Sequence, residues 1–194
     1  MTEPGRGAVA GPDGKPRCPW GLSAPDYLAY HDDEWGRPVH GDQGIFERLC
    51  LEAFQSGLSW LTILRKRENF RKAFAGFDIE AVAAFGDDDV ARLLADSGIV
   101  RNRAKVNAAI GNARAALGLP QGLSALVWSY AEDEQRPAPR TLEEVPSVTP
   151  ASKQLAAELR KNGFTFTGPV TAYAAMQACG IVNDHLAECF VRAR

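Results

Sequence analysis

The chain has 194 residues, 45% hydrophobic and 24% charged, with a formal net charge of −2. That supplies a core for one domain or two small lobes, and no apolar run reaches the length of a membrane helix. The near-neutral balance excludes a generally basic nucleic-acid binder, so any nucleic-acid contact must come from a local patch. Four cysteines, at 18, 50, 179 and 189, lack the dense spacing of a disulfide framework. With no apolar export signal, they point to reduced thiols in the cytoplasm.

Residues 1–17, MTEPGRGAVAGPDGKPR, are rich in Gly, Pro and charge and read as a disordered extension. The remainder, 18–194, is expected to be a single all-α domain of two packed helical lobes. Helical spacing joins Ile45, Leu49, Phe54 and Leu58, and again Trp60, Leu61, Leu64 and Phe70. Asp78 and Asp87 are placed as N-caps of the next two helices. RAKVNAAIGNARAAL reads as an amphipathic helix with Val106, Ala109, Ile110, Ala113 and Leu117 on one face. Ser124 to Tyr130 is a short apolar segment, and EDEQRPAPRTLEEVPSVTP a Pro-rich loop. Ser152 is expected to cap KQLAAELRKNG, with Gly163 ending it. A last helical pattern runs from about Ala172 to His185 and Cys189, with a break at Gly180. No sustained two-residue alternation occurs, so the fold class is all-α.

Three constellations carry chemistry. The first is DVARLLADSGIVRNRAKVNAAIGNARAAL, two helices around a tight turn, resembling a helix-hairpin-helix. Arg101, Arg103, Lys105 and Arg114 give 97–118 a local charge of +4 with no acid. Gly98 is read as permitting a positive-φ turn. Arg103 and Lys105 stand in the first helical turn, where cations oppose the dipole unless a phosphate lies nearby. An ordinary αα-hairpin with a solvated basic face has the same pattern. The second is VNDHLAECF: His185 and Cys189 are four apart and, on a helix, share one face, as two zinc ligands can. Cys18 and His31 are the candidate partners, and a Cys2His2 site would staple the two chain ends together. Cys50 and Cys179 read as core thiols. The third is aromatic: Trp20, Tyr27, Tyr30, Trp35 and Trp60 gather around Glu52, a carboxylate on the apolar stretch LCLEAFQSGLSW. Taken alone, the aromatics read as core before they read as a pocket. The acid, if buried, needs a partner or a purpose.

CPWGLSAPDYLAYHDDEWGRP, LCLEAFQSGLSWLTILRKRENFRKAF, SGIVRNRAKVNAAIGNARA and KNGFTFTGPVTAYAAMQACGIVNDHLAEC, in that order, resemble the 3-methyladenine DNA glycosylase I family. The resemblance runs from Cys18 to Cys189. It implies a helix-hairpin-helix glycosylase fold and one structural zinc ion held by Cys18, His31, His185 and Cys189. It implies a base pocket in which Glu52 meets a flipped base and Tyr27, Tyr30, Trp60, Trp20 and Trp35 stack on or line it. Gly57 and Leu58 match the stretch that fills the gap left in the duplex, while Gly98, Arg101, Arg103 and Lys105 face phosphates. The implied substrate is N3-methyladenine in duplex DNA, hydrolysed by a monomer without lyase activity. Two departures stand out. Phe54 replaces a glutamine common in the family, which removes an amide if that position meets DNA. The N-terminal extension and the tail VRAR also differ.

Overall fold

The structure, a computed structural model, describes residues 7–131 and 137–193. Among these, the chain is built almost wholly of helices: α1 (Pro25–Ala29), α2 (Asp42–Gln55), α3 (Trp60–Ala73), α4 (Ile79–Ala83), α5 (Asp87–Ala95), α6 (Arg103–Leu117), α7 (Leu123–Trp128), α8 (Pro150–Lys161) and α9 (Pro169–Ala178). No helix is long and apolar enough to cross a membrane.

Helix α2 occupies the middle, in contact with α3, α6, α7 and α9. Ile45, Phe46, Leu49 and Phe54 meet Phe70, Phe74 and Phe77 on one side and Val106, Ile110 and Met176 on others. Because neighbours surround it, even its charged residues Glu47 and Glu52 are buried. Phe54 is 1% exposed and packs on Phe70 at 4.7 Å between ring centroids. It serves the core, so the family's glutamine is not missed at a surface. Leu58 and Leu117, expected on apolar faces, are instead 41% and 51% exposed. Leu58 lies beyond the end of α2, where Gly57 turns the chain with φ +80.

The caps follow local chemistry, with two corrections. The Asp78 carboxylate accepts from the Ala81 amide as expected. At α5 the cap is Gly86, whose amide donates to Asp89 at the third position; Asp87 is the first helical residue. At α8 Thr149 is the cap, and Ser152 is its reciprocal partner three residues on. In both, the acid or hydroxyl is in the correct turn one to three positions away, a distinction that spacing alone does not carry.

The two chain ends depart further from expectation. Residues 9–10 and 16–17 pair as an antiparallel hairpin, β1 (Val9–Ala10) and β2 (Pro16–Arg17), so 7–17 is ordered rather than disordered; 1–6 lie outside the described residues. The partners that order it come from far along the chain. Arg17, 3% exposed, forks between Asp13 and Asp32 and lies 4.7 Å from the Phe190 ring. At the other end α9 stops at Ala178, and Gly180, with φ +70, presses against Arg37 so closely that a Cβ would sit 2.5 Å from its carbonyl carbon. Residues 181–193 run on as turns, not helix. Cys18, Leu186, Cys189 and Val191 form a second small core that joins both ends.

Candidate functional site

The stretch YHDDEWG closes both halves of the site. Helix α1 runs directly into a single π-type turn, Tyr30–Glu34, closed by the Trp35 amide on the Tyr30 carbonyl at 2.8 Å. The wide turn sends neighbouring side chains to different places, a use for which π-turns recur at functional sites. Tyr30 faces a cavity; His31 faces the second core. Asp32 and Glu34 are ion-paired: Asp32 accepts from His31 and Arg17, and Glu34 from Arg67. After the turn, the amides of Gly36 and Val39 bond the carbonyls of Gln177 and Cys179, capping the end of α9.

The second core holds Cys18, His31, His185 and Cys189, all buried, with their ligand atoms within 4.8 Å of one another. Cys189 Sγ lies 3.5 Å from His31 Nε2 and 3.7 Å from His185 Nδ1, and Cys18 Sγ is 3.8 Å from His185 Nδ1. Donors about 2.0–2.3 Å from a central ion at tetrahedral angles are separated by roughly 3.3–3.8 Å, so the quartet fits a four-coordinate cation with N and S ligands. Both imidazoles are oriented from behind. His31 donates from Nδ1 to Asp32 at 2.8 Å, and His185 from Nε2 to the Trp35 carbonyl at 3.0 Å, which leaves Nε2 and Nδ1 respectively as free lone pairs. The thiol–thiol hydrogen bond lowers Cys189 and raises Cys18, as two sulfurs sharing one proton require. The expected four residues therefore do meet, but by a different route. His185 and Cys189 are not on a helix; the turns after Gly180 bring them together.

Beside this cluster lies a cavity of about 360 Å³ lined by Trp20, Tyr27, Tyr30, Trp35, Trp60 and Glu52, together with Ser23, Gln55, Ala174 and Gln177. All six side chains expected of a base pocket are present. The last four were not foreseen as lining residues, since a lone serine before α1, an amide at the end of α2 and a small and an amide residue on α9 carry no distinctive pattern. Asp184, 2% exposed, holds Gln177 by accepting from Nε2 at 2.7 Å. The two sites share a wall: Trp20 is 5.0 Å from the His31 ring and Trp35 is 4.8 Å from the His185 ring. Tyr30 and Trp60 face each other obliquely at 5.5 Å.

Glu52 is 7% exposed, and no described residue gives its carboxylate a hydrogen bond or ion pair. Burial alone pushes it up to about 8. Burial and the Glu52 charge push Tyr30 upward as well. Trp60 Nε1 is a buried donor without a partner. An unmatched acid and an unmatched N–H among ring faces form a pocket whose polar groups await a ligand.

The DNA-facing expectations divide. Gly57 and Leu58 are exposed in the turn between α2 and α3, next to Gln55 of the cavity. Arg101 and Arg103 are exposed at the turn 96–102 between α5 and α6. Gly98 does not have positive φ; a Cβ there would meet the Asp96 carboxylate at 2.9 Å and Asn69 at 3.1 Å, so a larger residue would have to displace those side chains. Its amide is taken by Asp96 at 2.7 Å. Lys105 is 9% exposed and does not face phosphate: Nζ donates to the carbonyls of Phe54 and Ser56, at the C-terminal end of α2 where carbonyls lack helical partners.

Residues 20–192 match the family model described as methyladenine glycosylase. The chain belongs to the methyladenine glycosylase family. Within it, the chain is 48% identical over 177 residues to DNA-3-methyladenine glycosylase 1 of Escherichia coli (strain K12), covering 89% of this chain and 95% of that protein. A crystal structure of 3-methyladenine DNA glycosylase I superposes with a TM-score of 0.86 at 47% identity, over 90% of this chain and 98% of that one. A tyrosine-to-phenylalanine variant of another 3-methyladenine DNA glycosylase I, in complex with 3-methyladenine, gives 0.85 at 34% identity, over 92% and 98%.

Proposed function

We propose that this methyladenine glycosylase excises N3-methyladenine from duplex DNA by hydrolysing the N-glycosidic bond, leaving an abasic site. The observation that carries this reading is the unpartnered, buried Glu52 carboxylate opening into an aromatic-walled cavity. Methylation at N3 places positive charge on adenine and weakens its bond to the sugar, so the base leaves without being protonated. The protein's tasks are to extract the nucleotide and to prefer the cation. Extraction costs a few kcal/mol, less for a poorly paired lesion. Tyr and Trp faces favour a cation by roughly 0.5–2 kcal/mol per contact. A cationic base draws Glu52 into its charged, hydrogen-bond-accepting form, whereas neutral adenine offers no charge to offset that ionisation and forgoes the attraction. Mass detection of free 3-methyladenine released from methylated duplex DNA tests the activity. Binding without release would leave only a DNA-binding module.

The turn 96–102 with its flanking helices is read as a helix-hairpin-helix that grips phosphate through Arg101, Arg103 and the free first amides of α6. Gly57 and Leu58 are read as the element that fills the gap in the duplex. The enzyme is inferred to be one domain acting as a monomer in the cytoplasm, without lyase activity. Burial lowers Lys105, as an amine nucleophile needs, but two carbonyls hold its protons and keep it out of the cavity. Pure protein is therefore expected to leave an abasic strand intact until base is added, as a denaturing gel reads directly.

The metal is inferred to be zinc, in a structural role, since four protein ligands leave no position for water. Asp32→Asn removes the charge behind His31, along with the ion pair to Arg17, and is expected to weaken zinc retention by roughly 10–100-fold. Transfer to a chromophoric chelator measures it; wild-type retention in the variant would remove Asp32 from the site.

A further inference from the structure

The two loops read as DNA-facing are tied to each other by two lysines. Lys66, in the second turn of α3, donates from Nζ to the carbonyls of Ser97 at 2.9 Å and Gly98 at 3.3 Å. Asn69 adds a bond from Nδ2 to the Gly98 carbonyl at 3.4 Å. Lys105, in the first turn of α6, donates from Nζ to Phe54 at 2.9 Å and Ser56 at 2.5 Å. The arrangement is reciprocal. Lys66 follows the 56–59 turn in sequence and holds the hairpin; Lys105 follows the hairpin and holds the end of α2. Gln55, between the two carbonyls gripped by Lys105, lines the cavity, and the exposed Gly57 and Leu58 come next.

An ammonium in the first turn of its own helix is disfavoured by the dipole, and one that is buried also loses hydration. The C-terminal carbonyls of α2 offset both costs, because they carry the opposite partial charge and lack helical partners. For phosphate binding, an exposed side chain would serve better. These two ammonium groups are directed onto backbone carbonyls instead, Lys105 within the protein and Lys66 at its surface, on backbone that carries the next functional residue.

We propose that Lys66 and Lys105 are positioning residues that fix the 56–58 turn relative to the 96–102 hairpin, so that the grip on phosphate sets the depth at which Leu58 enters the duplex. This rests on the glycosylase reading above. A misplacement of about 1 Å at a positioning contact can cost roughly 100-fold. The test compares Lys66→Met, Lys105→Met and Lys66→Arg by two readouts: excision from methylated duplex, and affinity for free 3-methyladenine by tryptophan fluorescence. The expected result is a loss of duplex excision of roughly 10–100-fold in each Met variant, with free-base affinity unchanged and Lys66→Arg close to wild type. Unchanged excision in the Met variants, or excision and free-base affinity falling together, would overturn the proposal. Should Lys105→Met not fold, Lys66→Met, at a partly exposed side chain, decides alone. A wild-type protein that releases no base from methylated DNA would sink the glycosylase reading, a result separable from failure of the brace.

Discussion

Glu52→Gln is expected to lose excision by roughly 100–1,000-fold, the scale on which one preorganised electrostatic group acts in a closed site, while duplex affinity is retained. The amide fills the same space and still offers an acceptor, but lacks the charge that rewards a cationic base. The pH dependence has a definite sign. Glu52 stands at about 8 in the free protein because burial disfavours its ionised form. Excision per encounter should therefore rise with pH as the carboxylate forms, levelling above about 8, and the Gln variant should lose this dependence. A bound cation favours the carboxylate, so turnover at saturation should show a lower midpoint than kcat/KM. Stability follows the opposite course. The native state holds a proton that the unfolded chain has released between the ordinary carboxylate range near 4.5 and about 8. Stability is thus lost as pH rises through that window, by an amount on the order of a few kcal/mol once both states are ionised. Glu52→Gln should accordingly melt higher than wild type at pH 9 and close to it at pH 5. Equal excision by variant and wild type, or a variant less stable at high pH, would contradict a buried, unpaired recognition carboxylate.

Removing the metal is expected to have the larger effect on stability. The ligands come from Cys18 and His31 near one end of the chain and His185 and Cys189 near the other. Only the native state brings them together, so binding energy becomes folding energy. Free zinc at a thousand times its dissociation constant contributes about 4 kcal/mol. For a chain of this length that corresponds to a fall in Tm of roughly 8–16 °C on chelation. Cys189→Ser should show a similar fall without chelator. The wall shared by Trp20, Trp35 and the two imidazoles links this loss to the pocket, so free-base affinity should weaken at temperatures where the ends loosen. Calorimetry with and without chelator, together with metal analysis, decides it. Metal-free protein with an unshifted Tm would show that the quartet is no stabilising site.

Much of the fold is written in local pattern. α6 begins and ends where the apolar spacing of RAKVNAAIGNARAAL does, and Asp78 caps α4 through its own carboxylate. Such features depend on residues within a turn or two of one another. Apart from the two caps, which are off by one to three residues, the features that differ most from expectation depend on distant partners. Arg17 is ordered by Asp32 and Phe190, so a Gly- and Pro-rich stretch becomes a hairpin. Gly98 lacks a positive φ, and the space beside it is taken up partly by Asn69, from another helix, as well as by the local Asp96. Lys105, taken for a phosphate ligand from its place at a basic helix start, meets carbonyls about fifty residues earlier in the chain.

The site divides in the same way. Residue types and the family resemblance named in advance the groups that the structure brings together: Cys18, His31, His185 and Cys189 in one cluster, and Trp20, Tyr27, Tyr30, Trp35 and Trp60 around Glu52 in one cavity. What the sequence could not determine is how those groups face one another. The π-turn at Tyr30–Glu34, the turns after Gly180 and the burial of the middle of α2 are set by packing between elements far apart in sequence. That packing, through the water it removes from Glu52, pushes an ordinary glutamate up to about 8.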